Sequence, residues 1–209
     1  MALLKNHKNI NYHYQLWEID TDLTKSESSF EILPKYHPNV NTYKNPFRIN
    51  QILNTRRIVK ELLGKNIDLI QNINGKPILL NSDHFISISN HKNLIAVIIA
   101  KFLCGIDIES QNRNLTKIQH KYISHQDFST LNKNDDLTKI WCGKEVLYKI
   151  HGFPIINFKK HLRIIKNNKE MIGRCEHDDI SFETNLKSVI HEDLILMFNT
   201  NYQEKSNDD

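Results

Sequence analysis

The sequence predicts a mixed α+β protein made of two similar α/β halves, and three observations carry that expectation. A run with helical spacing followed by strand-like runs occurs twice, once before and once after about residue 103. The order of elements repeats without any repeat at the letter level. At 209 residues the chain is long enough to bury a sizeable core. The expected divisions are 1–103 as the N-terminal half, 104–201 as the C-terminal half, and 202–209 as a polar, disordered tail.

In chain order, Ile10 to Ile19 alternates loosely and predicts an opening strand, followed by Thr21 and Asp22 as N-caps of a helix through Leu33. Lys35 to Asn45, with Pro38 and Pro46 nearby, predicts a loop. Phe47 to Leu63 has helical spacing, with Ile49, Ile52, Val59 and Leu63 on one arc and Gly64 closing it. Arg56 falls in the middle of that arc and Arg48 at its edge. A buried guanidinium needs an anion, because leaving it unpaired costs about 3–5 kcal/mol; an internal salt bridge and a ligand phosphate both satisfy it.

Ile67 to Ile73 and Pro77 to Leu80 predict strands around an Asn74-Gly75 turn. Phe85 to Ser89 predicts a strand, Asn90 to Asn93 a polar turn, and Leu94 to Ala100 a buried strand. Phe102 to Glu109 is expected as the next strand, and Gln111 to Leu131 as helix and loop. Leu137 to His151 predicts a second strong helix, with Lys144 central on its apolar arc and Glu145 at the flank. His161–Ile165, Met171–Cys175, Ile180–Asn185 and Leu194–Phe198 complete the strands.

Composition narrows the function classes. The longest apolar run, Leu94 to Ala100, is far too short for a membrane span, and the first eleven residues lack the apolar core of a secretory signal. Three widely spaced cysteines suit free thiols in a cytoplasm. A net charge of +4 suits an acidic or polyphosphate partner. Lys and Arg appear dispersed along the chain, which argues against nucleic acid.

Chemistry concentrates in two stretches. Gly105-Ile106-Asp107-Ile108-Glu109 sends two carboxylates from one strand face, and Gly105 on that face leaves space for a ligand. Trp141-Cys142-Gly143-Lys144-Glu145, with Lys149 following, adds a third carboxylate and two lysines. Each motif alone has an ordinary explanation: strand-end acids are commonly solvated, and Glu145 with Lys149 is an i,i+4 pair worth about 0.2–0.5 kcal/mol. Together they make an all-oxygen donor set for Mg²⁺ beside lysines that can meet phosphates, the apparatus of phosphoryl-type transfer. Cys142, beside Trp141, reads as a structural thiol rather than a nucleophile, and no zinc cluster is expected.

These two stretches resemble the signature of the 4′-phosphopantetheinyl transferase superfamily, G-[IV]-D-x-E followed by [FW]-x-x-K-E-x-x-x-K, and length and spacing look like its larger pseudo-dimeric monomeric branch. Asn54-Thr55-Arg56 resembles the family's phosphate-binding helix, Asn74-Gly75-Lys76-Pro77 its adenine-side segment, and Phe85 to Ser89 the strand entering its S-H-S motif. The resemblance implies two halves related by pseudo-two-fold symmetry. It implies a Mg²⁺-dependent transfer of phosphopantetheine from coenzyme A to a serine of an acidic apo carrier protein, in a cytoplasmic monomer. Asp107, Glu109 and Glu145 would hold the metal, and Glu145 would be the base for the serine, with Asp107 and Lys149 in the catalytic set. Coenzyme A would be met by Arg48, Arg56, Gly75, Lys76, Ser89, Asn90, His91, Lys144 and Lys149.

One departure stands in this pattern. Ser89-Asn90-His91 occupies the place of S-H-S, so Asn90 replaces a histidine, or else the alignment shifts and His91 serves. A neutral amide makes a weaker bond to phosphate than a charged ring. A catalytically silent coenzyme A- or carrier-binding relative is the alternative this departure raises. An unrelated Mg²⁺-dependent hydrolase would account for the acids but not for Arg56, Lys76 and the Trp141 helix together.

Overall fold

The computed structural model describes residues 1–20, 44–64, 67–128, 135–167, 170–178 and 180–205. The protein is a mixed α+β chain of two compact units, Met1–Lys101 and Phe102–Asp209.

In the first unit, β1 (Ala2–Lys8), β2 (Tyr12–Glu18), β5 (Phe85–His91) and β6 (Leu94–Ala100) form an antiparallel sheet in the order β1-β2-β6-β5. Helix α1 (Pro46–Leu63) and the hairpin of β3 (Asp68–Gln71) and β4 (Pro77–Leu80) accompany it. Ile58 and Val59 of α1 pack with Ile86, Ile95, Val97 and Ile99 of the sheet and with Leu69 and Leu79 of the hairpin. Asn45 caps α1 through Phe47 N–H at 3.0 Å, with Pro46 in the first turn, where the missing N–H costs nothing. Pro46 therefore opens the helix rather than belonging to the expected loop. Gly64 closes it at φ +91, its N–H bonded to the Lys60 carbonyl.

The expected opening strand is instead a hairpin. Asn9 Oδ1 accepts from the Asn11 and Tyr12 N–H groups, and Ile10, which looked like a strand residue, sits at the tip, 80% exposed. The helix expected from Thr21 to Leu33, and all but the end of the loop from Lys35 to Asn45, lie outside the described residues. Strand β3 ends at Gln71, so the connection to β4 is wider than an Asn74-Gly75 turn; Asn72 Oδ1 accepts from Asn74 N and Lys76 N, and Gly75 takes φ +80. Asn90 and His91 are strand, not turn: β5 continues to His91, paired with Leu94, and only Lys92 and Asn93 turn.

In the second unit, β7 (Ile106–Ser110) is followed by the short helices α2 (Gln119–Tyr122) and α3 (His125–Phe128), the long helix α4 (Asp135–His151) and the short α5 (Phe158–His161). Then come β8 (Leu162–Asn167), β9 (Glu170–Cys175), β10 (Ser181–His191), β11 (Leu194–Asn199) and β12 (Gln203–Lys205). The sheet runs β7-β11-β10-β9-β8, all neighbours antiparallel, with β12 on β10. The expected disordered tail is corrected over its first residues: Tyr202 packs on Phe182, and Gln203–Lys205 pairs with Ser181–Glu183. Ile140, Val146, Leu147 and Ile150 of α4 bury against Ile164, Phe182, Ile195 and Met197.

Strand β7 starts at Ile106, later than expected, because Gly105 serves a different contact. A Cβ there would fall on the carbonyl oxygen of Val146, so the missing side chain admits the α4 backbone rather than a ligand. Cys104, Cys142 and Cys175 are buried and unbridged. No helix among the described residues is long and apolar enough to cross a membrane.

Replacing Gly105 by Ala forces α4 away from β7. The expected loss is about 1–3 kcal/mol of stability, the usual range for overpacking; urea unfolding measures it, and an unchanged midpoint would contradict the close approach.

Candidate active site

Strand β7 presents Asp107 and Glu109 from one face, paired across to Met197 and Ile195 of β11 and each 7% exposed. Acids so buried need partners, and both have one. Lys149 Nζ donates to Asp107 Oδ1 at 2.8 Å and to the Ile106 carbonyl at 2.7 Å. Arg113 binds Glu109 Oε2, and its guanidinium also lies 5.0 Å from the centre of the Trp141 ring. Helix α4 supplies the third acid. Residues 142, 145 and 149 fall on one helical face by the i, i+3, i+7 rule. That face is turned to the strand acids, as the Lys149 contact and the electrostatics of the other two show. Burial pushes the Glu145 carboxyl up to about 7, Asp107 adds to the rise, and Lys149 and Arg113 oppose it. Burial also pushes the Cys142 thiol up, reinforced by the charge of Asp107 and a hydrogen bond to it, so the thiol stays protonated and inert, in keeping with a structural role.

Lys144 does not join this group. Adjacent helical residues point about 100° apart, and Lys144 faces the other side. Its ammonium is fully buried, donating to Asp127 Oδ2 at 2.7 Å, the Tyr122 carbonyl at 2.6 Å and the Phe158 carbonyl at 3.1 Å. Asp127 also accepts from Ser124 N–H and Oγ and from Ile164 N–H. Three donors and three acceptors are matched, so the expectation that Lys144 meets a phosphate is corrected: it ties α4 to α2, α3 and α5.

Arg113 and Asp127 were missed in the sequence. Arg113 stands four residues beyond Glu109 and was legible as a counter-charge; Asp127, in an unpatterned polar stretch, carried only a Ser124-x-x-Asp127 turn signal.

Three carboxylates with electrostatic reach of one another suit a hard divalent cation in kind. Their present spacing is different: among the described residues no three His, Cys, Asp or Glu side chains gather where they could hold one ion. Lys149 and Arg113 stand against the acids, so a cation would take the place of those ammonium and guanidinium contacts.

The first unit holds a second feature, a cavity of about 150 Å³ between α1, the β3–β4 hairpin and β5. Arg48, Arg56, Gly75 and Asn90, all singled out in the sequence, line it together with Thr55 and Gln71. Among the described residues no carboxylate lines it. Arg56 Nη1 donates to the Leu69 carbonyl at 2.8 Å and Arg48 Nη1 to Gln51 Oε1 at 3.1 Å. At Nη1, Arg56 thus has a backbone acceptor.

Strand alternation decides between Asn90 and His91. Ile88 and Asn90 face the cavity, whereas Ser89 and His91 lie on the alternate face and do not line it. The Asn90 Oδ1 atom is buried and has no hydrogen-bond partner among the described residues. Lys76 is not a lining residue either; its N–H holds the Asn72 turn.

The raised Glu145 carboxyl links stability to pH. Its proton is held more tightly folded than unfolded, so this contribution is full below about pH 4.5 and lost as pH rises through about 7. The expected fall is about 3 kcal/mol, and Glu145→Gln should remove it in urea titrations at pH 5 and pH 8. Equal pH dependence in both proteins would refute the assignment. Lys144→Met should cost about 3–5 kcal/mol by leaving Asp127 buried with its charge unmatched, read from the same titrations.

Compared with models of known protein families and with curated proteins, the chain matches none.

Proposed function

We propose that the protein is a Mg²⁺-dependent 4′-phosphopantetheinyl transferase, built as two related halves, acting on coenzyme A and a serine of an acidic apo carrier protein. The observation that carries this reading is the electrostatic coupling of Glu145 to Asp107 and Glu109 beside Lys149, with the Glu145 proton poised near pH 7. A general base works best when its pKa lies near the working pH.

In this reading the serine oxygen bonds to the phosphorus that carries pantetheine. The bond from that phosphorus to the bridging oxygen breaks, adenosine 3′,5′-bisphosphate leaves, and the serine proton passes to Glu145. Bound Mg²⁺, held by Asp107, Glu109 and Glu145, would neutralise charge on the pyrophosphate. Lys149, 23% exposed at its side chain and flexible in length, exchanges its Asp107 contact for a phosphate oxygen. Arg48 and Arg56 give the cavity of the first unit its preference for an anionic group, and the reading assigns the 3′-phosphate to it. Gly75 in that lining, and Lys76 beside it, belong to the adenine end. Asn90 supplies a neutral polar contact where the family pattern has an imidazole.

Incubation with apo carrier, coenzyme A and Mg²⁺, followed by mass spectrometry of the carrier, tests the reading. A mass gain of one phosphopantetheine arm is expected, and Glu145→Gln should lower the rate at least about 100-fold, the lower range for loss of a general base. Coenzyme A binding without transfer to any carrier would favour the silent relative suggested by Asn90.

A further inference from the structure

Glu109 is held at both of its oxygens. The Ser110 N–H donates to Oε1 at 3.0 Å, and Arg113 binds Oε2. The turn after β7 brings the arginine back to the strand: the Ser110 carbonyl accepts from the Arg113 N–H at 3.1 Å, and Ser110 Oγ accepts from the Asn112 N–H at 3.2 Å. The guanidinium has a second seat, 5.0 Å from the centre of the Trp141 ring, and Tyr122 braces that ring edge-on at 5.1 Å. Asp107 is occupied in a similar way, by Lys149 at Oδ1 and by the Cys142 thiol. Both acids are 10% exposed at their side chains, whereas Arg113 is 40% exposed and has water to move into.

Asp107 with Lys149 and Glu109 with Arg113 each balance in charge. A divalent cation added to the two pairs alone leaves two positive charges in excess, or one once Glu145 has lost its proton. A diphosphate diester, doubly negative, removes that excess. We infer that Arg113 is a positioning residue that makes metal binding and diphosphate binding depend on each other. In the free protein it stands on Glu109 in a metal's stead, and it leaves that carboxylate for the diphosphate only when metal and diphosphate arrive together. A buried carboxylate gives up one counter-charge only for another, and a guanidinium fits phosphate oxygens with two parallel bonds. Lys149 has a carbonyl acceptor, Ile106, to keep it in place; Arg113 has the Trp141 ring, which keeps the displaced guanidinium beside the acids. The identity of the diphosphate, that of coenzyme A, and of the metal rests on the transferase reading.

Loss of the arginine should act in opposite directions on stability and on metal affinity, which a purely structural contact does not do. In Arg113→Gln the urea midpoint should fall, and Mg²⁺ alone should restore it by binding the folded form, while leaving the wild-type midpoint unchanged. Equilibrium dialysis with Mn²⁺ gives the affinities. Wild type should bind Mn²⁺ at least about tenfold tighter with coenzyme A than without, inside the roughly 5–150-fold usual for coupled sites. Arg113→Gln should bind Mn²⁺ alone at least about tenfold tighter than wild type and lose most of the coupling, and Arg113→Lys should keep the coupling. Equal wild-type affinities with and without coenzyme A, or a folded Arg113→Gln no tighter for Mn²⁺ than wild type, would overturn the inference. Where the glutamine variant does not fold, Trp17→Phe leaves Trp141 as the single tryptophan. Its emission should change when metal and coenzyme A are added together and not with either alone; any other pattern rules the exchange out. If the wild type neither binds coenzyme A nor transfers from it, the transferase reading fails, and inorganic pyrophosphate takes its place in the dialysis. Coupled binding of Mn²⁺ and pyrophosphate that Arg113→Gln uncouples then keeps the inference, and its absence ends it together with that reading.

Discussion

The carbonyl oxygen of Val146 stands where any side chain at position 105 would begin, so α4 and β7 meet almost backbone to backbone. That approach sets the rotation and height of α4 over the strand, and with them the place of every charged group on the helix. Residues 142, 145 and 149 come down over Asp107, while 141, 144 and 148, one residue earlier at each step, turn toward Phe158. A helix pushed out by one methyl group would misplace both sets together.

The two faces use charge in opposite ways. Lys144 and Asp127 are each fully buried, and every polar atom at their contact is met by a backbone or side-chain partner, an arrangement that fixes geometry and cannot be exchanged with solvent. Lys149 and Arg113 keep part of their side chains in water, 23% and 40% exposed. Their carboxylate partners are only 10% exposed at the side chain, so these cations can be given up only to another positive charge. The dry pair thus fixes geometry, and the partly wet pairs neutralise buried acids, on either side of one helix.

Both long helices, the paired acids on one strand face, and the glycine at the end of α1 were legible because each depends on local spacing. What was not legible depends on meetings between distant segments. Lys144 was marked as a charge on an apolar arc that needed an anion, which was right, but its partner lies 17 residues away in a stretch without pattern. Gly105 was read as space for a ligand, and only the packing tells that a carbonyl fills it. The turn at Asn90 was misread because polar residues on a strand look like a loop until their neighbours across the sheet are known; pairing with Leu94 and Ile95 makes them strand. In α1 the period-based arc passed over Asn50, Gln51, Asn54 and Thr55, which are buried polar residues satisfied by backbone carbonyls and by one another.

The charge balance of the acid cluster explains why the proton resides where it does. Asp107 and Glu109 leave a buried strand, where an unpaired carboxylate is most costly, and each takes one of the two nearby cations. Glu145 comes third. Among the described residues no cation is paired with it, and it sits within the field of two other acids, so its carboxyl holds a proton to about pH 7. Three negative charges against two positive ones is a cluster short by one charge at neutral pH. A proton on Glu145 closes that deficit, and a divalent cation closes it with charge to spare for an arriving phosphate. In the transferase reading proposed above, the same imbalance would suit both a base and a metal-bound polyanion, which a fully paired cluster of the same residues would not.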